Sequence, residues 1–157
     1  MPQPPQDRRR EAAEADRSSH LDEMLCFEVY SAEHAFGRLY KSLLQPLGLT
    51  YPQFLVMVLL WERDGRSIGG LGRVLGLESN TLTPLVKRLE AAGLVSRQRD
   101  RQDERRVRVA LTEAGRAMRA SVGHVRQAVI AATGMSEVEL AALFGALRKL
   151  RAGLSDT

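Results

Sequence analysis

Phe54-Leu-Val-Met-Val-Leu-Leu-Trp61 is a run of eight apolar residues, and whatever this chain folds into must be built around it. Just ahead of it, Thr50-Tyr51-Pro52-Gln53 has the spacing of a capping box. Threonine stands at the N-cap and glutamine at N3, with proline tolerated in the first turn. A run rich in valine and leucine also fits a strand, but the cap favours a helix. Apolar on every side yet far shorter than a bilayer span, the run predicts a central buried helix.

The flanking segments predict what covers it. Residues 1–18 carry prolines, glutamines and mixed charge without apolar periodicity, and read as a mobile tail. A first helix is expected to open at Ser19, with Leu21, Leu25, Val29, Ala32, Phe36, Leu39 and Leu43 at helical spacing, and to end near Gln45-Pro46-Leu47-Gly48. After the central run, Asp64-Gly65 breaks the chain, and Ser67 can cap a short helix, IGGLGRVL, that stops at Gly76. The next helix carries Leu82, Leu85, Val86 and Leu89 on one stripe and ends at Gly93. Two short helices joined through Gly76-Leu77 have the form of a helix-turn-helix. If the second begins at Ser79, Pro84 removes an internal hydrogen bond, so its start is expected to slide toward Thr81.

Beyond Gly93 the period changes from helix to strand. Residues 94–99 and 105–112 flank the polar segment DRQDE, and Val107, Val109 and Leu111 alternate with Arg106 and Arg108, which reads as a hairpin with one apolar face. Thr112 is expected to cap a helix running to about Thr133. Ser136 to Glu139 is a second capping box, opening a helix with Leu140, Leu143, Phe144, Leu147, Leu150 and Leu154 on one stripe. The expected class is mainly α with a small β-wing: two helices, a helix-turn-helix, a wing and two helices. Residues 19–157 form one domain, with the winged helix-turn-helix at about 50–112 and long helices at about 19–46 and 112–154.

Charge and cysteine usage narrow the function. The 157 residues hold 23 Lys and Arg against 19 Asp and Glu, a net charge of +4, which favours an anionic partner, with nucleic acid foremost. His20, His34 and His124 are the only histidines, and no CxxC or HxxxH spacing occurs, so neither a metal nor another cofactor is expected. The first twenty residues lack an apolar core, so neither a signal peptide nor a membrane anchor is expected and the cytoplasm is the expected compartment.

A helix-turn-helix places its second helix in the major groove with its first turns against base edges. With the leucine stripe turned inward, Ser79, Thr81, Thr83, Lys87 and Arg88 face outward. The hydroxyls suit close approach to bases and phosphates, and the two cations suit phosphate oxygens. The wing carries arginines at 97, 99, 101, 105, 106 and 108 against acids at 100, 103 and 104, leaving positive charge on a tip that can reach a minor groove. Asp103 stands two residues from Arg105 and is expected to orient it through an ion pair.

On these motifs the chain from Leu25 to Gly115 resembles the MarR family of winged-helix repressors. The family's wing reads D-x-R, then strand residues, then LT-x-x-G; here that is Asp103-Glu104-Arg105 followed by Leu111-Thr112-Glu113-Ala114-Gly115. LCF at 25–27, LTYPQF at 49–54, LLWE at 59–62 and LTPLVKRLEAAGLV at 82–95 are similar to its organic-hydroperoxide-sensing, OhrR-type branch, of the kind with one cysteine. The resemblance implies a homodimer built by the terminal helices, which agrees with the apolar stripe at 140–154. It also implies a pseudo-palindromic double-stranded operator.

Cys26 is the single cysteine, and composition alone favours inert packing, since free cysteine is among the most buried residue types. With the helix opening at Ser19, Cys26 lies two turns in, too far for the helix dipole to help a thiolate. The three tyrosines are the alternative donors. Tyr30 is one turn along on the same face. Tyr40 is 14 residues away, roughly 21 Å along the helix, and reaches the sulfur only from the other subunit of an antiparallel dimer, with Tyr51 beside it. The resemblance implies that arrangement: a reactive cysteine at Cys26, with Tyr40 and Tyr51 donated by the partner.

The expected inducer is an organic hydroperoxide entering an apolar pocket near Phe27, Phe36, Phe54 and Met57. The oxidised sulfur would then take a low-molecular-weight thiol, cyclise to a sulfenamide or oxidise further. The competing expectation is release by a small aromatic ligand with Cys26 passive. A thiol peroxidase is disfavoured, because no arginine or threonine adjoins Cys26, so the chain is not expected to be an enzyme.

Overall fold

The computed structural model describes residues 24–99 and 107–155. The tail at 1–18, the expected helix start at Ser19, and Asp103, Arg105 and Arg106 lie outside the described residues. The chain divides into two compact units, Met1–Ser42 and Leu43–Thr157.

The first unit contains most of α1 (Leu25–Leu44). Met24 precedes the helix, and its carbonyl accepts from the N–H groups of Phe27 (2.9 Å) and Glu28 (3.2 Å). Among the described residues the helix therefore opens at Leu25.

The second unit opens with a 3-10 turn at Gln45–Leu47, then α2 (Tyr51–Glu62), β1 (Arg66–Ser67), α3 (Ile68–Leu75) and α4 (Ser79–Ala91). It continues with β2 (Val95–Arg99), β3 (Val107–Leu111), α5 (Glu113–Ser121), α6 (Gly123–Thr133) and α7 (Glu137–Ser155). The capping box before α2 forms: Gln53 Oε1 accepts from the Thr50 N–H at 2.8 Å and the Thr50 hydroxyl at 3.0 Å. Val56, Met57 and Leu60 on one face of α2 are buried, whereas Phe54, Leu55, Val58 and Leu59 stay half-covered. The central helix is thus enclosed on one side only.

Around that face pack Leu71 of α3, Leu82, Val86 and Leu89 of α4, and Val95, Val109 and Leu111 of the sheet, all buried. Ser67 caps α3 by accepting from the Gly70 N–H, and Gly76 ends it in the left-handed region at φ 67°. The leftward twist there turns the chain into α4, and only glycine adopts it without strain. Gly72 has a different task. A Cβ at that position would lie 2.5 Å from the Leu77 carbonyl oxygen, so the turn of the helix-turn-helix closes onto a bare backbone.

The three strands are antiparallel in the order β1-β3-β2. Val95 faces Leu111 and Arg99 faces Val107 across the hairpin, while Arg66 pairs with Val109 and Ser67 with Arg108. The hairpin follows the predicted alternation. β1 is unexpected, because two residues carry no period to read. The predicted single helix from Thr112 to Thr133 is also broken, at Val122 before Gly123, into α5 and α6. Glycine in a helix interior costs about 1 kcal/mol relative to alanine, which makes this a natural point of fracture. In α7 the capping box forms as expected, with Ser136 N–H and hydroxyl on Glu139 Oε2 at 2.8 and 2.7 Å. Leu140 of the α7 stripe is buried and Leu150 half-covered, while the rest of it is exposed, from 38% at Leu143 to 69% at Leu154.

Candidate nucleic-acid interface and thiol site

α4 begins at Ser79, not at Thr81. Glu78 takes the N-cap position, and its carbonyl accepts from the N–H groups of Thr81 and Leu82, both at 3.0 Å. Pro84 therefore sits inside the helix, where its missing N–H leaves one rung open. The Thr83 hydroxyl donates to the Ser79 carbonyl at 2.7 Å, tying the first turn together above that gap. Thr83 is consequently half-covered and turned onto its own backbone, while Ser79, Thr81, Lys87 and Arg88 are exposed as expected, together with Asn80. Leu82, Val86 and Leu89 hold the opposite side of the helix in the core, which fixes the outward face.

The hairpin root is fastened to the helices by carboxylates that pattern reading passed over. Glu90 of α4 accepts from Arg97 of β2 twice, from Nε at 2.7 Å and from the backbone N–H at 2.9 Å. Those two donors hold the Glu90 carboxyl below its ordinary value. Arg97 is thereby committed to the protein, and Arg108 donates to the Gly65 carbonyl at 3.1 Å, so neither is the free wing cation that counting arginines suggests. Arg99 on β2 remains exposed.

Asp64 is the second fastening. Its Oδ1 accepts from the N–H groups of Leu111 and Gly65, each at 2.8 Å, and its Oδ2 from Arg116 of α5 at 2.9 Å. Partial burial pushes this carboxyl up, but the Leu111 and Gly65 N–H groups and the Arg116 guanidinium outweigh it and hold the group below the usual range. Asp64-Gly65 read as a chain break in the sequence, and nothing in the pattern paired it with Arg116, 52 positions on.

A depressed carboxyl contributes stability that is complete above its unfolded value, about 3.9, and is lost as pH falls through the folded one. Asp64→Asn is therefore expected to lower the melting temperature near pH 7 and to differ less from the parent at pH 3, below the unfolded value. The pair is partly open to solvent, so the neutral-pH loss should be about 1 kcal/mol or less. Thermal melts at the two pH values check both.

LT-x-x-G acquires a physical meaning here. Thr112 donates its hydroxyl to the Gly93 carbonyl at 2.6 Å and accepts from the Gly115 N–H at 3.0 Å, capping α5 while closing the hairpin. Trp61 Nε1 donates to the Gly115 carbonyl at 2.8 Å, joining the end of α2 to the same point.

In the other unit, Cys26 is exposed and is the second residue of α1. It stands in the first helical turn, not two turns in. That turn presents N–H groups without intrahelical partners, the end of a helix that favours negative charge. Tyr30 follows one turn later, exposed, with its ring 4.1 Å from that of His34 and 6.4 Å from that of Phe27. Tyr40 is half-covered near the far end of α1, so within one chain these two tyrosines are not both neighbours of the sulfur. Tyr51 opens α2, where burial pushes its phenol above the ordinary value, keeping the hydroxyl protonated and a donor at neutral pH. Of the expected pocket residues, Met57 is fully buried, Phe27 and Phe54 are half-covered and Phe36 is 39% exposed. Among the described residues no group of His, Cys, Asp and Glu is arranged to hold a metal. No single described helix is long and apolar enough to cross a membrane.

A helix-turn-helix followed by a hairpin wing that pairs with a short strand ahead of the motif, with the helix face outward and the hairpin root clamped, defines a winged-helix DNA-binding protein. Residues 38–121 match the family model of the transcriptional regulator SarA/Rot. The chain is 49% identical over 136 residues to the HTH-type transcriptional regulator TtmR of Methylorubrum extorquens, covering 87% of this chain and 70% of that protein. It is 37% identical over 130 residues to the organic hydroperoxide resistance transcriptional regulator of Bacillus subtilis, covering 83% and 88%. The crystal structure of AbfR of Staphylococcus epidermidis superposes with a TM-score of 0.71 at 32% identity, covering 91% and 99%. AbfR has also been solved on DNA in reduced and overoxidized forms, and in a disulfide form. The chain belongs to the SarA/Rot and MarR family of winged-helix transcriptional regulators, whose members here are regulators and not enzymes.

Proposed function

We propose that this regulator is a homodimeric repressor that leaves a pseudo-palindromic operator when an organic hydroperoxide oxidises Cys26. The observation that carries this reading is the position of Cys26: solvent-accessible, in the first turn of a helix, with the Tyr30 ring one turn away. A structural cysteine would be packed, not presented. The 37% identity to a regulator named for organic hydroperoxide resistance supports it, as does the redox series of AbfR structures.

The thiolate attacks the distal oxygen of the hydroperoxide. The O–O bond breaks, sulfur is oxidised to the sulfenic acid, and the departing alkoxide takes a proton and leaves as the alcohol. With no second cysteine in the chain, the sulfenic acid condenses with a low-molecular-weight thiol, losing water and forming a mixed disulfide. Sulfenamide formation and further oxidation are the competing fates. Tyr40 and Tyr51 of the partner subunit act as donors to the anionic sulfur, and the exposed apolar stripe of α7 serves the dimer. Ser79, Thr81, Thr83, Lys87 and Arg88 meet the major groove, and the tip with Asp103, Arg105 and Arg106 meets the minor groove. A DNA-bound regulator of this kind works in the cytoplasm.

A mobility-shift titration with operator duplex tests the whole scheme. Cumene hydroperoxide at one equivalent per cysteine is expected to abolish the shifted band, and dithiothreitol to restore it. A band that survives oxidation, or that a small aromatic acid removes while peroxide does not, transfers the function to ligand release.

A further inference from the structure

Between the start of α4 and the wing strand lies a cleft of about 410 Å³, lined by Ser67, Gly69, Gly70 and Arg73 of the β1–α3 segment, by Ser79 of α4 and by Val107 of β3. A second opening of about 410 Å³ shares Gly69, Arg73 and Ser79 with it. Of the described residues first assigned to DNA contact, Ser79 alone lines it.

Two residues of this cleft are open to an outside partner. Arg73 is exposed, and among the described residues no hydrogen bond or ion pair engages it. Gly69 is the second residue of α3, exposed, with φ in the ordinary range and nothing within 4 Å of a Cβ built on it. Unlike Gly72, it is required neither by packing nor by backbone twist. A helix keeps such a residue at a cost in stability when something outside the chain must come close to the backbone.

The position of the cleft identifies what comes close. A helix in the major groove and a hairpin in the adjacent minor groove straddle one sugar-phosphate strand, because that strand is what separates the two grooves. In this chain the surface between the start of α4 and Val107 of β3 is the Ser67–Arg73 segment. We infer that the cleft seats a phosphate of that strand, with the Arg73 guanidinium as its cation, the Ser79 hydroxyl as a further donor and Gly69 leaving room for the strand to approach α3. This rests on the DNA-binding reading of the helix-turn-helix but not on the redox chemistry of Cys26.

The test uses the full chain and a fluorescein-labelled mixed-sequence duplex of about 30 base pairs, since sequence-independent affinity comes from phosphate contacts. Anisotropy titrations over a salt series give the slope of log K against log salt. Arg73→Ala is expected to weaken binding several-fold and to reduce that slope by about one for each protomer bound. Gly69→Ala is expected to raise the melting temperature while weakening binding, a combination that a purely structural glycine would not give. Lys87→Ala, on the reading helix, serves as the positive control. If Lys87→Ala lowers the slope while Arg73→Ala and Gly69→Ala leave it at the parent value, the seat is overturned and the DNA reading stands. A parent chain that ignores the duplex overturns both.

Discussion

Cys26→Ser is expected to bind operator duplex as tightly as the parent and to stay bound through a peroxide challenge that clears the parent from DNA. Serine keeps the size and the helix position of the side chain but has no accessible oxidation state, so the sulfenic acid and every product beyond it are removed together. The side chain is exposed and contributes no core packing, so the fold and the reading helix should be untouched. Mobility shift with and without cumene hydroperoxide measures the effect, and circular dichroism confirms the fold. Release of the serine chain at the same peroxide dose would remove the sulfur from the mechanism.

The second large effect is on stability. A Cβ added at Gly115 would fall far inside van der Waals contact with the Leu94 carbonyl oxygen and close to the Leu111 side chain. Neither neighbour gives way cheaply. The Leu94 carbonyl accepts the Thr112 N–H at 3.0 Å, and Leu111 lies in the core, so relief requires α5 to draw back from the hairpin root. Gly115→Ala should cost about 1–3 kcal/mol, lowering the melting temperature by about 3–10 °C. Alanine at Gly123, where the added atom meets nothing within 4 Å, is the matched control and should be neutral or stabilising. Differential scanning calorimetry on the pair separates a clash from a mere change in helix propensity.

Much of this molecule is written in local signals. The capping boxes at Thr50 and Ser136, the stop at Gly76 and the alternation of Val107, Val109 and Leu111 each act over fewer than eight residues, and each appears in the structure where its spacing places it. What escaped depends on distance or on absence. β1 is held by its partner strand, not by its own composition. The Asp64–Arg116 pair and the Glu90–Arg97 clamp join elements whose approach no periodicity announces. The opening of α1 at Leu25 was not legible because an apolar period carries no mark of where a helix begins, and the placement of Cys26 in a first turn went with it. Gly69 and Arg73 went unassigned because their interest lies in what they lack, a packing reason and a partner, and that is visible only in three dimensions.

The Glu90–Arg97 clamp also constrains how a signal can leave the molecule. With β2 pinned to the last turns of α4, and Asp64 holding the far strand to α5, the hairpin has no hinge of its own at its root. Loosening the protein from a promoter by folding the wing aside would mean breaking both carboxylate fastenings first. In the proposed dimer the cheaper route would turn the wing and the reading helix together as one rigid tool, changing the distance between two such tools on a duplex and leaving each one's shape intact.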